Sequence, residues 1–183
     1  MKYTSEIFQK LSHGQFISCK SVDMSNRALY NDLDENQAEY RNFFDQIDFD
    51  LCQGKGYFYF SRKENKVVIE NKLLAFYPWI DYLDFLKTFN SSFGEGYQFS
   101  PVMIEAALAS NLELKKKLSN LFKDKSSNRD KIELLVQKLS DQGFAELINE
   151  QEGKYQVTSA FNYIEDMILC INIDEEVKDE IPE

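Results

Sequence analysis

The sequence predicts a mainly α-helical fold with two small β-hairpins (α+β), because one pattern of residues occurs twice. A charged, amphipathic segment at 35–47 runs into 49–60, where two short apolar runs flank a turn that contains glycine. A second such segment, at 129–141, runs into 144–157, where two runs again flank a glycine turn. A helix followed by a hairpin, after shorter helices, is the order of a winged helix-turn-helix. We therefore predict tandem winged-helix domains.

The boundary between the two domains is predicted at 90–96, a break rich in Ser and Gly. The first winged-helix domain, with a linker helix, then occupies 1–90. The second occupies 91–183 and includes an acidic C-terminal tail, in which 174–183 holds six acids against one Lys. The 183 residues of the chain suffice for two domains of roughly 70–90 residues each.

The elements of the first domain are predicted from apolar spacing and from residues that start or stop helices. Gly14 is expected to stop the first helix. Ser25 or Asn26 is expected to cap the second helix, and Asp34 with Gln37 resembles a capping box for the third. The predicted elements are a helix at 5–12, a strand at 16–19, a helix that carries Leu29, Tyr30 and Leu33, a helix at 35–47, and strands at 49–52 and 57–60.

The linker and the second domain carry clearer start and stop residues. Apolar residues from Leu73 to Phe85 fit a helix that Pro78 begins or kinks. Ser100 followed by Pro101 is a strong helix start, a cap and then a first-turn proline. The remaining predicted elements are helices at 101–110, 112–122 and 129–141, the last with Gly143 as its C-cap, two strands within 144–157, and a final helix at 160–170 capped by Thr158 and Ser159.

Composition favours a protein partner before a nucleic-acid partner. The net charge is -10, whereas a freestanding DNA-binding domain is usually basic because phosphate contacts supply most of its affinity. Fifteen Phe and ten Tyr exceed what two small cores need, and aromatic residues are enriched at interfaces. We therefore expect some of these residues to form an interface, and a homodimer that assembles through the first half of the chain.

Residues for catalysis, cofactor binding or metal binding are scarce. The single histidine, His13, is expected to interact with a helix end, and the three cysteines lack zinc spacing. The Gly-x-Gly pairs lack the other residues of nucleotide-binding loops. The longest apolar run, 73–80, is too short to cross a bilayer, and no apolar signal-peptide region is present. We predict a cytoplasmic protein that is not an enzyme and needs no cofactor or metal.

Basic residues are concentrated in one segment. Between Lys115 and Lys138 there are eight Lys or Arg and three acids, a net charge of +5. The segment covers the second helix, the turn and the start of the recognition helix of the second unit, where a helix-turn-helix meets phosphate. A solvated helix face with a basic loop is the alternative interpretation. The candidate DNA-binding residues are Lys115, Lys116, Lys117, Lys123, Lys125, Arg129 and Lys131.

The corresponding helix of the first unit has the opposite charge. Its acidic residues are Asp34, Glu35, Glu39 and Asp45, and its only basic residue is Arg41. Such a helix repels a phosphate backbone, so the first unit is predicted to bind protein or to dimerise. Trp79, the single tryptophan, is either a core residue or an interface anchor.

Several short motifs resemble those of a known family, the MukE/MksE subunits of bacterial condensins. The resemblance is best over 5–62, and beyond 90 it is one of architecture. One departure is at 47–51, where the family pattern has a Leu-Gly-type turn before the strand. The motifs are Gly14-Gln15-Phe16-Ile17, then Leu29-Tyr30, then Tyr40-Arg41-Asn42-Phe43-Phe44, and finally Gly56-Tyr57-Phe58-Tyr59-Phe60.

This resemblance implies a non-catalytic subunit that dimerises and binds a kleisin, the chain that bridges the heads of an SMC-like ATPase. It implies a MukBEF/MksBEF-like complex at the nucleoid, in chromosome organisation and segregation or in defence against plasmid DNA, with non-specific DNA contacts and no membrane. A freestanding winged-helix transcription regulator is the alternative. The candidate partner-binding residues are Tyr40, Phe44, Tyr57, Tyr59 and Trp79.

Overall fold

The computed structural model describes residues 1–179, and their side chains as far as Cys170. The fold is mainly α-helical with two small antiparallel sheets, as the sequence predicts. The helices are α1 Thr4–Ser12, α2 Met24–Glu35, α3 Gln37–Asp45, α4 Lys66–Phe76, α5 Pro78–Phe89, α6 Pro101–Leu108, α7 Leu112–Asn120, α8 Asn128–Asp141 and α9 Asn162–Asp179. The strands are β1 Ile17–Ser18, β2 Asp50–Gly54, β3 Tyr57–Ser61, β4 Gln98–Phe99, β5 Ala145–Asn149 and β6 Lys154–Val157.

The two sheets share one strand order. The first sheet has the order β1-β3-β2 and the second the order β4-β6-β5, and every pairing is antiparallel. In each sheet, helices separate the first strand from a hairpin formed by the other two. The chain thus repeats one order of elements, which agrees with the predicted order, while the winged-helix assignment of both units stays a prediction.

The helix before each hairpin ends in the same motif. Gly143, after α8, has φ +75°, and the next N–H donates to the carbonyl five residues back at 2.8 Å. Asp48, after α3, has φ +62°, and the corresponding hydrogen bond is 3.1 Å long. Both are Schellman motifs, in which a left-handed residue turns the chain out of the helix. Asp48 therefore takes the conformation that glycine usually supplies, and the turn before the first hairpin is retained despite the departure at 47–51.

The core is divided into two clusters. The first cluster lies between α1, α2, α3 and the first sheet, and includes Leu33, Tyr40 and Phe44. The second lies between α5 to α9 and the second sheet. Tyr82, Phe85 and Leu86 of α5 belong to the second cluster, although the sequence placed this helix in the first domain. By packing, α5 therefore belongs to the second core, to which Phe76 of α4 also contributes.

The predicted start of α6 is confirmed, whereas two predicted helix starts in the first half of the chain are wrong. Ser100 Oγ accepts from the Met103 N–H at 3.3 Å, so the predicted cap of α6 is confirmed. Asp23, and not Ser25 or Asn26, caps α2. The capping box at Asp34 and Gln37 is wrong, because α3 begins at Gln37 after Asn36 and has no side-chain cap.

The last helix differs from its predicted limits. A 3₁₀ turn, Ser159–Phe161, precedes α9, which starts at Asn162 and not at Ala160. The helix extends to Asp179 and so includes part of the segment predicted as an acidic tail. Residues 180–183, the end of that tail, lie outside the described residues.

Candidate partner and nucleic-acid surfaces

Two of the predicted partner-binding residues lie in the core of the first unit. Tyr40 and Phe44 are completely buried and stack on each other, with ring centroids 5.8 Å apart. The Tyr40 hydroxyl donates to the Asp32 carboxylate. Burial, together with that hydrogen bond, raises the pKa of Tyr40 to about 12. Neither side chain is accessible to a partner, so their role is structural, which corrects the prediction.

The other three, Tyr57, Tyr59 and Trp79, lie where the two units meet. Trp79 packs edge-on against Phe144 at 5.0 Å. Tyr59 packs against Tyr163 at 5.2 Å. Together with Phe16 these side chains form what we call the aromatic junction: Phe16, Tyr57, Tyr59, Trp79, Phe144 and Tyr163.

The aromatic junction explains part of the aromatic excess noted in the sequence. Phe16 contributes to it from the first unit and Phe144 from the second, with ring centroids 5.4 Å apart. Offset and edge-on aromatic pairs of this kind stabilise beyond the area that they bury. Trp79 is therefore a packing residue of the chain itself. These aromatic residues join parts of one molecule, and the interface with a partner that the composition predicts stays a prediction.

Polar groups add to the contact between the units. Glu146 on β5 accepts hydrogen bonds from Ser21 Oγ, at 2.7 Å, and from the Val22 N–H. The Tyr57 hydroxyl donates to Asp166 at 3.3 Å. Burial and the nearby Asp166 carboxylate raise the pKa of Tyr57, so its hydroxyl stays protonated and can donate at neutral pH. The two units are thus joined by directional contacts as well as by aromatic packing.

The linker helix α4 is the least covered element among the described residues. None of its side chains is buried, although most are apolar; Val67 is 64% and Leu74 63% exposed. A helix that is apolar on all sides is normally buried, and large exposed apolar patches mark interaction sites. We call its exposed residues the α4 surface: Val67, Val68, Ile69, Leu74 and Tyr77.

The sequence contained a signal for the α4 surface that our prediction did not use. The segment 66–77 is rich in apolar residues but lacks the helical spacing that would place them on one face. We predicted only that a linker helix contains the apolar residues from Leu73 to Phe85. A helix without amphipathic spacing between two folded units is itself an indication of a surface that a partner covers.

Lys131 is one of the seven predicted DNA-binding residues, and it is only 5% exposed. Its ammonium donates to the carbonyls of Leu118, Ser119 and Leu121 at 3.1, 3.0 and 2.6 Å. These carbonyls lie at the end of α7; the Leu118 carbonyl also accepts from the Leu121 N–H at 3.1 Å, whereas helix ends leave the last carbonyls without helical donors. Lys131 therefore caps α7 from within the core, which corrects the prediction that it contacts phosphate.

Three more of the predicted basic residues form salt bridges with carboxylates of the same chain, which would compete with phosphate. These pairs are Lys117 with Asp84 at 2.8 Å and Glu113 at 3.2 Å, Lys125 with Asp124 at 3.8 Å, and Arg129 with Glu133 at 2.8 Å. Three residues are exposed and have no carboxylate within 4.0 Å in the part of the chain whose side chains are described. We call them the exposed lysine set: Lys115, Lys116 and Lys123.

The exposed face of α8 is not basic, although α8 holds the recognition-helix position of the predicted winged helix. Asp130, Glu133 and Asp141 are exposed there beside Arg129. Carboxylates at this density oppose the approach of phosphates. The exposed lysine set therefore lies on α7 and the loop that follows it, and not on α8.

The described residues contain no group of three or more His, Cys, Asp or Glu side chains arranged to hold a metal ion. His13 lies exposed after α1, with Nδ1 against the Gln9 carbonyl. Within residues 1–179, no helix has the length and apolar character needed to cross a bilayer.

Comparison with known families supplies the identification. The family model described as condensin complex protein MksE matches residues 2–168. The chain belongs to the MksE family. The resemblance found in the motifs at 14–60 is thereby confirmed, and the chain is a condensin-complex subunit. A search of curated proteins finds no match.

Membership of the MksE family fits the distribution of the surfaces described above. A subunit of a larger assembly needs surfaces for its partners, and the exposed apolar α4 surface has the character of one. The aromatic motifs of the first unit, at 40–44 and 56–60, contribute to the core, because Tyr40, Phe44 and Phe58 are completely buried. The family motifs therefore identify the fold of this MksE chain more directly than they identify its contacts.

Proposed function

We propose that this MksE chain is a non-catalytic, kleisin-binding subunit of a MukBEF/MksBEF-like condensin. It acts at the nucleoid, in chromosome organisation and segregation or in defence against plasmid DNA. The observation that carries the proposal is the family match over 2–168. The exposed α4 surface supports it, because a chain of this kind must present apolar area to other subunits. The SMC-like ATPase of the complex is reached through the kleisin.

The proposal includes a homodimer in which the α4 surfaces of two copies cover each other. Both copies carry the same patch, so a two-fold contact can bury it on itself. The net charge of -10 makes two copies repel each other over most of their surface. Helix α4 is an exception, because it holds Lys66, Glu70 and Lys72 and so has a net charge of +1. The charge of α4 is therefore close to zero, so it opposes contact between two copies at this face only weakly.

The kleisin proposal predicts a stable complex between the purified chain and the kleisin subunit of the same condensin. At micromolar concentrations the two should elute together in size-exclusion chromatography and bind measurably in calorimetry. The exchange His13→Gln serves as a matched control, because His13 lies away from the proposed surfaces and should leave binding unchanged. A kleisin that elutes separately at these concentrations contradicts the proposed function.

The exposed lysine set is proposed to touch the DNA backbone within the assembled complex. Its three ammonium groups lie on α7 and the following loop, and no chain carboxylate competes for them among the described side chains. Screening limits repulsion from the rest of the acidic chain to about 8–10 Å at physiological salt. Contact between these lysines and phosphates is therefore possible once partner subunits hold the surface against DNA.

We predict that the triple exchange Lys115→Glu, Lys116→Glu, Lys123→Glu weakens DNA binding by the whole complex. Each lost phosphate contact removes about 0.9 from the slope of log K against log salt, so about 2.7 is lost in total. The matched control is Lys20→Glu, Lys55→Glu, Lys63→Glu, which changes three exposed lysines and takes the net charge from -10 to the same -16. Equal slopes for the two triple variants, measured by fluorescence anisotropy, contradict the DNA proposal.

A further inference from the structure

A cavity of about 230 Å³ lies at the C-terminal end of α4, where the two units meet. Its walls are Phe76 of α4, Phe60, and all residues of the aromatic junction other than Tyr57. Phe60, Phe76, Tyr59 and Trp79 are only half-buried, so the cavity is open to solvent. We call it the junction pocket.

The junction pocket is aromatic inside and polar at its mouth. Among the described residues, no Asp, Glu, Lys or Arg lines it. Gln15 and Gln142 also line it; both are exposed, and neither side-chain amide makes a hydrogen bond within the part of the chain whose side chains are described. Such a pocket suits a neutral aromatic ring with one polar edge, because the ring packs on the aromatic walls while the amides bond the edge.

The volume of the junction pocket limits its occupant to a single side chain. An apolar cavity of about 150 Å³ is enough to bind benzene. At about 230 Å³, the junction pocket therefore admits one phenol ring, but not a helix or a strand together with its side chains. The occupant must protrude from a surface that itself stays outside the pocket.

Tyr77 meets these requirements. It directly follows Phe76 in the chain and belongs to the α4 surface, yet it does not line the junction pocket of its own chain. Its side chain is 47% exposed, and its hydroxyl makes no hydrogen bond among the described residues. Phe43 is the other exposed aromatic side chain in the described part of the chain, and it lies on the acidic helix α3.

We propose that, in a homodimer, Tyr77 of each copy inserts into the junction pocket of the other copy. This inference rests on the homodimer of the proposed function and names the contact that holds it. In a two-fold contact the same patch of both copies meets itself, so a protruding side chain and a pocket that adjoin on that patch engage twice. Each ring packs against Tyr59 and Trp79 of the other copy, and its hydroxyl bonds to Gln15 or Gln142 there.

Charge favours a second copy at this place over other places on the chain. With a net charge of -10, two copies can approach closely only where carboxylates are few. The junction pocket has no charged lining residue among the described side chains, and α4 has a net charge of only +1. The contact also takes the one exposed aromatic ring of the α4 surface out of water.

The test compares the parent chain with Tyr77→Ser and Tyr77→Phe by sedimentation velocity over a dilution series. We expect Tyr77→Ser to raise the dissociation constant of the dimer about 100-fold or more, because an aromatic anchor is lost twice in each dimer. Tyr77→Phe keeps the ring and should fall between Tyr77→Ser and the parent. The matched control Phe43→Ser removes the other exposed ring and should dimerise within about twofold of the parent.

Trp79 provides a second readout, which separates a lost contact from a lost fold. It is the single tryptophan of the chain, and it lines the junction pocket. Dissociation exposes its ring to water, so the emission of the parent should shift to longer wavelength on dilution. Tyr77→Ser should already emit at the longer wavelength at micromolar concentration. Its circular dichroism spectrum should match that of the parent, since Tyr77 is not buried in the single chain.

The outcomes separate this inference from the proposed function. A dimer that Tyr77→Ser leaves intact, with Trp79 emission independent of concentration, overturns the inference while the homodimer stands. A parent chain that is monomeric at micromolar concentration refutes the homodimer and this inference together, and leaves kleisin binding to its own experiment. If Tyr77→Ser weakens kleisin binding and leaves the dimer unchanged, the kleisin occupies the junction pocket and the inference is wrong.

Discussion

Replacing Lys131 by alanine is expected to lower the free energy of unfolding by about 3 kcal/mol or more. The ammonium donates to three carbonyls at the end of α7, at 2.6 to 3.1 Å, and the residue is almost fully buried. Alanine removes the ammonium donor from all three carbonyls, of which Leu118 keeps the Leu121 N–H, and it also removes the packed aliphatic part of the side chain. Hydrogen bonds to charged groups contribute more than neutral ones, which is why the loss exceeds that of an ordinary substitution.

Urea denaturation followed by circular dichroism measures this effect. Lys116→Ala is the matched control, because Lys116 is an exposed lysine of α7 and its loss should change stability by no more than about 0.5 kcal/mol. Lys131→Met, which restores the aliphatic chain but not the donors, should fall between Lys131→Ala and the parent protein. A loss below about 1 kcal/mol for Lys131→Ala would show that water or another group caps α7.

The burial of Lys131 could have been predicted from the sequence. It precedes Leu135 by four residues and Leu139 by eight, so it lies on the buried face of α8 with them. We counted it instead with its neighbours in a basic segment. Charge counting along the chain cannot distinguish a lysine on the apolar face of a helix from one on the solvent face, whereas helical spacing can.

Tyr40 and Phe44 show that residue type alone also fails to distinguish buried aromatic residues from exposed ones. Their spacing of four residues on α3 places both on the apolar face, and the structure buries both completely. The spacing therefore indicates the core, although we predicted both residues to bind a partner. The aromatic junction is different, because Tyr59 and Trp79 meet Tyr163 and Phe144 only after the two units have packed. Local sequence contains no information on which distant segment covers a given strand.

The first and last residues of helices were predicted best where proline or glycine restricts the backbone conformation. Ser100 with Pro101 fixes the start of α6, and Gly143, with its positive φ, fixes the end of α8. Asp48 takes the same left-handed conformation without being glycine, so the equivalent turn in the first unit was harder to recognise. Which edge of β5 is unpaired depends on the strand order and on which of its residues bond to β6. Neither can be predicted from a local sequence pattern.

The double exchange Val67→Lys, Leu74→Lys is expected to convert a homodimer into a monomer. The two residues are seven apart on α4, hence on one face, and they are its most exposed apolar side chains. Losing the burial of a Val and a Leu costs about 1.5–3 kcal/mol each, so the dissociation constant should rise about 100-fold or more. Neither side chain is buried in the single chain, so its own stability should change little.

Sedimentation velocity at micromolar concentration distinguishes the dimer from the 21.5 kDa chain. The matched control is Val102→Lys, Leu112→Lys, which adds the same two charges at apolar residues that are 69% and 84% exposed outside α4. We expect this control to sediment as the dimer. A parent chain that is monomeric, combined with loss of kleisin binding in the α4 variant, would assign the α4 surface to the kleisin and refute the homodimer. A dimer that survives the α4 exchange would mean that two copies meet through another face of the chain, and would refute the α4 contact.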